Sequence, residues 1–299
     1  MTRMPEVPGV RHRHVDAGGL RMHVAEAGEG DPVLLLHGWP QNWYMWRAVM
    51  PPLAERYRVI APDLRGHGWT DAPAWGYDKE RMADDVIRLM DALELDRVRL
   101  AGHDWGGWIG WLLCMRHPER FERYLALNIA PPWPPVDPRS LAEIWRFWYQ
   151  VVIGMPGLGP WLLRTKPEFV GALMKGNAHD RTAWTADETR AFTDPQADPA
   201  VARASSLLYR TFLLKEMWPL MRGRYRSLRL TTPTLLLFGV HDMAISTKLI
   251  AGYEPYADDL DVEFVEESGH WIAEEVPDLV VDRALDFFAA GVPTAPGAR

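Results

Sequence analysis

Ten residues, Val98-Arg-Leu-Ala-Gly102-His103-Asp104-Trp105-Gly106-Gly107, restrict the fold of this chain more than any other segment. An apolar run of strand length ends at a glycine, and a helical pattern over Trp105–His117 starts three residues later. Small residues two positions either side of Asp104 permit the sharp turn and close backbone approach that such a reversal needs. Val98–Gly102 shows no polar alternation and reads as a strand buried on both faces of a parallel sheet. Pro32–Leu36, Arg58–Pro62 and Tyr124–Ile129 read the same way, and the alternation resumes at Thr234–Gly239 and Val262–Val265. Trp43–Tyr57, Tyr77–Leu95 and Asp278–Ala289 have helix length, and Met82, Val86, Leu89, Met90 and Leu93 share one stripe. Val10–Asp16 and Leu20–Glu26, joined by Gly18-Gly19, predict an antiparallel hairpin. The fold class expected is α/β, with a mostly parallel central sheet flanked by helices.

The middle of the chain departs from this alternation. Pro131-Pro132-Trp133-Pro134-Pro135 stops it, and roughly the next 95 residues hold helical patterns rich in Trp and Met but no strand. Thr231-Thr232-Pro233 then restores the strand pattern. The layout predicted is a core domain made of residues 1–131 and 229–299, with a helical cap over 132–228 and a ligand cleft between them. Fifteen Trp against nine Tyr and nine Phe is an unusual balance. Trp105, Trp108 and Trp111 recur every three residues and read as a buried helix stripe. Trp133, Trp145, Trp148, Trp161, Trp184 and Trp218 fall in the cap, where some are expected to line the cleft and favour an apolar substrate.

Composition excludes several functions. A net charge of −7 offers no footprint for nucleic acid or an anionic membrane. The longest apolar runs fall far short of the roughly 20 residues of a spanning helix. Met1–Arg13 lacks the apolar segment of a secretory signal. The single cysteine, Cys114, permits no internal disulfide, fits a reducing cytoplasmic compartment and is expected to be buried. No metal-ligand spacing, phosphate-binding glycine loop or dinucleotide fingerprint is present, so neither a metal nor a cofactor is expected. The partners expected are a small apolar molecule and water, for a monomer or homodimer.

The turn around Asp104 has the nucleophile-elbow pattern, usually G-x-S-x-G, with Asp in place of Ser. Helix N-terminal amides at Trp105 would favour an ionised carboxylate there. Taken alone, Asp104 reads equally well as the N-cap of that helix. Its partners should follow in the order nucleophile, acid, histidine. Leu235–Asp242 puts a carboxylate just past the next strand, and Val262–Trp271 puts His270 just past the last one, 28 residues later. Of ten histidines only His270 sits at a strand end in that order. Leu34-Leu-Leu-His37-Gly38-Trp39-Pro40 follows an earlier core strand, so the backbone amides of Trp39 and Trp105 are the expected oxyanion hole. His37, His241 and the turn Asp63–Gly68 are read as structural.

Together His37-Gly-Trp-Pro40, Asp63-Leu-Arg-Gly-His-Gly68, Gly102-His-Asp-Trp-Gly-Gly107, Gly239-Val-His-Asp242 and Gly269-His270 resemble the epoxide hydrolases of the α/β-hydrolase fold, over nearly the whole chain. The resemblance implies that Asp104 attacks an epoxide carbon, and that His270, oriented by Asp242, activates the water that cleaves the resulting ester. It also implies two cap tyrosines that hold and protonate the epoxide oxygen. Tyr149, seven residues before Pro156-Gly157, and Tyr209, in Leu208-Tyr209-Arg210, stand at those positions. Trp39, Trp105, Trp148 and Trp271 are the expected pocket tryptophans. Two other readings stay open. A related haloalkane dehalogenase would use the same triad with Trp105, and Trp148 as cap partner, as halide donors. A small-molecule receptor on a retained hydrolase scaffold would not catalyse at all.

Overall fold

The computed structural model describes residues 4–135 and 144–290. Strands β1 (Arg11–Asp16) and β2 (Arg21–Ala27) form the predicted hairpin at one edge of an eight-stranded sheet. It is followed by β3 (Pro32–Leu36), β4 (Arg58–Pro62), β5 (Val98–His103), β6 (Phe121–Leu127), β7 (Thr234–Gly239) and β8 (Leu260–Val265), in the order β1-β2-β4-β3-β5-β6-β7-β8. β2 also runs antiparallel to β4, and every pairing from β4 to β8 is parallel. Helices cover both faces, so β3 to β7 are buried along almost their whole length, while β8, at the other edge, is partly exposed.

Helix α1 (Met50–Ala54) is short; α2 (Lys79–Ala92) starts at Asp78, whose carboxylate accepts from Arg81 N. α2 buries Met82, Val86, Leu89 and Met90, the stripe read from the sequence. α3 (Trp105–Arg116) differs from a stripe: every residue from Trp105 to Met115 is buried, so the helix is apolar all round and lies inside the core. Cys114 is buried within it.

Two elements differ from expectation. The helix predicted over Trp43–Tyr57 is a 3-10 turn at Trp43–Trp46 followed by α1. Asn42 Oδ1 takes Tyr44 N and Asp63 takes Trp43 N, fixing a turn there, while Pro51 and Pro52 lack an N–H and fit only a helix's first turn. β6 starts at Phe121 and ends at Leu127, not Ile129, because Asn128 adopts φ 43°, which a strand does not allow.

Between β6 and β7 the described residues contain no strand. They form α4 (Trp148–Gly154), α5 (Leu158–Thr165), α6 (Pro167–Gly176), α7 (Ala186–Thr193), α8 (Pro199–Thr211), a π-turn at Phe212–Glu216 and α9 (Met217–Met221). Ile153, Leu163, Val170, Met174, Phe192 and Leu208 are buried among them. α10 (Ile272–Glu275) and α11 (Pro277–Ala289) close the chain onto the sheet. Among the described residues no helix is long and apolar enough to cross a membrane.

Candidate active site

The carboxyl ends of β3, β5, β6, β7 and β8 deliver Trp39, Asp104, Asn128, Asp242 and His270 to one side of the sheet. Asp104 turns the chain from β5 into α3 at φ 50°, a conformation that non-glycine residues adopt only where the surroundings impose it. Close packing imposes it here. A Cβ on Gly102 would stand 2.7 Å from Gly106 O, and one on Gly38 would stand 2.7 Å from Asp104 Cγ. Asp104 Oδ1 accepts from Trp39 N at 2.9 Å, and the Trp105 backbone amide also donates to this carboxylate.

His270 Nε2 lies 3.7 Å from Asp104 Oδ2, and His270 Nδ1 donates to Asp242 Oδ2 at 2.7 Å. Asp242 is itself caged. Its Oδ1 accepts from Ala244 N at 2.7 Å and Ile245 N at 2.8 Å, and its Oδ2 accepts from Asn128 Nδ2 at 2.9 Å. Asn128 also donates to Gly269 O at 3.0 Å, next to His270. From below, His103 Nε2 donates to His270 O at 2.8 Å. Burial alone would discharge His270, yet the Asp242 and Asp104 carboxylates outweigh it and raise the imidazolium to about 10. Burial would likewise raise Asp104, but His270 and the Trp105 amide hold it below the usual carboxylate range. His103, pushed down to about 4 by burial and by the neighbouring His270, stays neutral.

Tyr209, on α8, is buried with its ring edge-on to Trp39, Trp105 and Tyr149 at 5.2, 5.8 and 5.8 Å between centroids. Tyr149, on α4, is partly buried, and Gln150 Nε2 donates to its phenol oxygen at 3.5 Å. Burial, reinforced by the Asp104 charge, raises both phenols above the ordinary tyrosine range, so both keep their protons. Both line a narrow recess with Trp39, Asp104, His270 and Trp271. Beside it an apolar cavity of about 280 Å³ touches Asp104, Trp105, Tyr149 and Gln150.

The tryptophans separate. Trp39 and Trp271 line the recess and Trp105 the cavity, where Trp218 joins it. Trp271 packs on His270 at 4.7 Å and donates from Nε1 to Met174 O. Trp148 is 50% exposed and lines a separate depression with Trp145 and Phe169. His37 braces backbone, with Nδ1 donating to Gly38 O and Nε2 accepting from Leu64 N. Asp63 gathers Trp43 N, Trp69 N and His23 Nδ1, and His241 lies exposed against His179. Among the described residues no group of His, Cys, Asp or Glu side chains could hold a metal ion.

The roles of four residues were not read from the sequence. Asn128, through Asp242 and Gly269, and His103, through the His270 carbonyl, fix His270 across more than a hundred residues of chain; the one available signal was that His103 ends β5 and Asn128 directly follows β6. Gln150 carried no signal beyond its place after Tyr149. Lys79 is fully buried, paired with Glu216 at 2.9 Å, with its ammonium 4.4 Å from the Trp105 ring centroid.

Residues 31–153 match the family model described as the alpha/beta hydrolase fold. The soluble epoxide hydrolase of Corynebacterium sp. (strain C12) is 30% identical over 286 residues, covering 94% of this chain and 98% of that protein. YfhM of Bacillus subtilis (strain 168), an AB hydrolase superfamily protein, is 30% identical over 307 residues, covering 93% and 98%. Among solved structures, ligand-free epoxide hydrolase CorEH matches with a TM-score of 0.81 at 29% identity, covering 94% of this chain and 99% of that one.

Proposed function

Because this chain belongs to the epoxide hydrolases of the α/β-hydrolase fold and is a hydrolase, we propose that it converts an epoxide to a vicinal diol through a covalent ester on Asp104. The observation that carries this reading is the position of one buried, ionised carboxylate. Asp104 borders an apolar cavity, receives the Trp39 amide at 2.9 Å and lies 3.7 Å from His270. A carboxylate attacking an acyl ester would form only an anhydride, whereas attack on an sp³ carbon with a leaving group gives a stable alkyl ester.

Asp104 attacks the less hindered or more electrophilic ring carbon, and that C–O bond breaks. Tyr149 and Tyr209 hold the departing oxygen, and one of them gives it a proton; a neutral phenol is suited to this because its pKa lies between those of a carboxylic acid and water. Esterification also neutralises Asp104, which removes one of the two anions that keep His270 charged. The imidazolium then yields its proton to the phenolate and becomes the base. His270 next takes a proton from water as that water adds to the Asp104 carbonyl. The oxyanion forms on Asp104 itself, within reach of the Trp39 and Trp105 amides. Its collapse expels the second alcohol oxygen as an alkoxide, which takes the proton left on the Asp104 carboxyl by the added water, so the completed diol leaves an ionised Asp104 beside a protonated His270. The helices of residues 132–228 act as the cap over this chemistry, with residues 1–131 and 229–299 as its base.

Single turnover with excess enzyme in ¹⁸O-water tests the covalent step. The first diol should be mostly unlabelled, with the label left in the peptide containing Asp104. A labelled first diol would mean that water attacks the epoxide directly. The haloalkane dehalogenase reading has one kind of observation in its favour: the indole Nε1 atoms of Trp105, beside the cavity, and of Trp39, in the recess, are buried with no acceptor among the described residues. Styrene oxide and 1-bromobutane, followed for diol and for bromide, separate the two. Diol without bromide is expected; bromide without diol would transfer the function to the dehalogenase.

A further inference from the structure

Lys79 stands where local rules disfavour a lysine. It is the first residue of α2, at the positive end of the helix dipole, and it is fully buried. Burial pulls its ammonium below the ordinary lysine range, against the opposing charge of Glu216. An apolar side chain of similar length would avoid both costs, since a buried ion pair is often no more stabilising than well-packed carbon. Residues that break local rules in this way tend to serve a site. The contacts of Lys79 lead to one. Its Nζ donates to Glu216 Oε2 at 2.9 Å, to Leu208 O at 3.2 Å and to Tyr77 O at 3.4 Å, so all three donors are used. Lys79 N donates to Glu216 Oε1 at 2.8 Å. Glu216 ends the π-turn that follows α8, and Leu208 immediately precedes Tyr209. The ammonium also lies 4.4 Å from the Trp105 ring centroid, and that ring is edge-on to Tyr209 at 5.8 Å.

We infer that Lys79 is a positioning residue for epoxide opening: clamped to Leu208 O and Glu216, it fixes Tyr209 where its phenol meets the epoxide oxygen. The clamp works from two sides. Through the Leu208 carbonyl it grips the backbone of α8 one residue before Tyr209. Through its ammonium it backs the indole of Trp105, against which Tyr209 packs. An ammonium can serve a carboxylate, a main-chain carbonyl and a ring face together, which no aliphatic side chain can do. Lys79 lines neither the recess nor the cavity, so it acts through Tyr209 and not on the substrate. Its influence should therefore fall on ring opening, the step that uses the phenol. Ester cleavage uses Asp104, His270 and backbone amides, and should be spared. This inference rests on the epoxide reading of the same site.

Single turnovers of styrene oxide with excess enzyme, stopped by rapid quench, separate the two steps: loss of epoxide reports ring opening, and decay of the Asp104 adduct reports ester cleavage. Lys79→Met is expected to slow ring opening about tenfold, as a misplaced catalytic group does, and to leave ester cleavage unchanged. In a Tyr209→Phe background the same substitution should alter ring opening by less than about twofold, because the phenol it positions is gone. Glu216→Gln keeps the shape of the clamp and removes one charge. It should show the same pattern at smaller size, and it replaces Lys79→Met if that variant loses its near-ultraviolet spectrum. Equal slowing with and without the Tyr209 phenol, slowing of both steps, or unfolding of both variants would make Lys79 a general support of the fold. Each would overturn the inference while the epoxide reading stood, and so would opening at the wild-type rate in Lys79→Met. If the wild-type enzyme consumes no styrene oxide, the epoxide reading itself falls and takes this inference with it.

Discussion

At the strand ends Asp242 accepts hydrogen bonds from Ala244, Ile245, Asn128 and His270, and Asp104 is held by the Trp39 and Trp105 amides. Across the recess, the helices between β6 and β7 bring Tyr149, Gln150 and Tyr209 among aromatic edges, and Gln150 Oε1 has no hydrogen-bond partner among the described residues. One wall of the site therefore holds charges already solvated by fixed dipoles. The other holds neutral groups with open hydrogen-bonding capacity. In the proposed mechanism, charge that must exist before the substrate arrives sits on the rigid sheet, where reorganisation is least, and groups that act only on a substrate oxygen sit on the helices.

The largest effects should come from the sheet wall. Asp104→Ala is expected to lower epoxide turnover at least about 10⁴-fold, as loss of a nucleophile does. His270→Gln should instead stop after the first step, and mass spectrometry should find an adduct of substrate mass on Asp104. Equal loss with no adduct in the second variant would make the two residues one general-base unit. On the helical wall, Tyr149→Phe and Tyr209→Phe should each slow ring opening by about 10²-fold in rapid quench. The double variant should abolish it with an unchanged near-ultraviolet spectrum. A double variant that opens epoxides at the wild-type rate would reduce both phenols to packing.

A smaller effect sharpens the sheet wall. Asn128 Nδ2 and His270 Nδ1 meet at the same oxygen of Asp242. Asp242→Asn should cost about 10²–10⁴-fold in turnover, and adding Asn128→Asp should return part of it, because a carboxylate at 128 faces the same spot. If the pair is no better than Asp242→Asn alone, only the β7 end can orient His270. The smallest effect is electrostatic. Asp104→Asn removes an anion beside a cation, so the His270 pKa must fall from about 10, which an NMR titration would read. His270 is raised in the folded state above its ordinary value of 6.5, so its stabilisation is complete below about pH 6.5 and is lost as pH rises through about 10. Thermal midpoints should decline over that window, and the decline should move to lower pH in Asp104→Asn.

The same contrast explains what could be read in the sequence. The sheet wall was legible because an apolar run that ends in Gly or Asp marks a strand end, and strand ends in a parallel sheet converge. Asp104, Asp242 and His270 could be ordered from those strand ends together with the elbow pattern around Asp104 and the chain order nucleophile, acid, histidine. Trp148 could not be placed, since helical periodicity inside the insert does not say which helix face meets the core, and the residue stands half exposed. The segment after Asn42 misled because its helical spacing was sound; the capture of Trp43 N by Asp63, twenty residues away, is not a local signal. Asn128 and Gln150 act through contacts that exist only once the chain has closed.

Helix α3 begins directly after Asp104 and keeps no face toward water, which has a consequence for how the protein comes apart. A helix of that kind is not viable outside its enclosure, so it cannot persist as a partly unfolded remnant. Trp111 within it, with Trp43 and Trp46, is sealed from solvent, whereas Trp145, Trp161 and Trp218 already have more than half their surface in water. On denaturation the red shift of tryptophan emission is therefore dominated by the sealed set. Since the strand-to-helix turn that carries Asp104 is continuous with that helix, the emission shift and the loss of catalysis should share one midpoint.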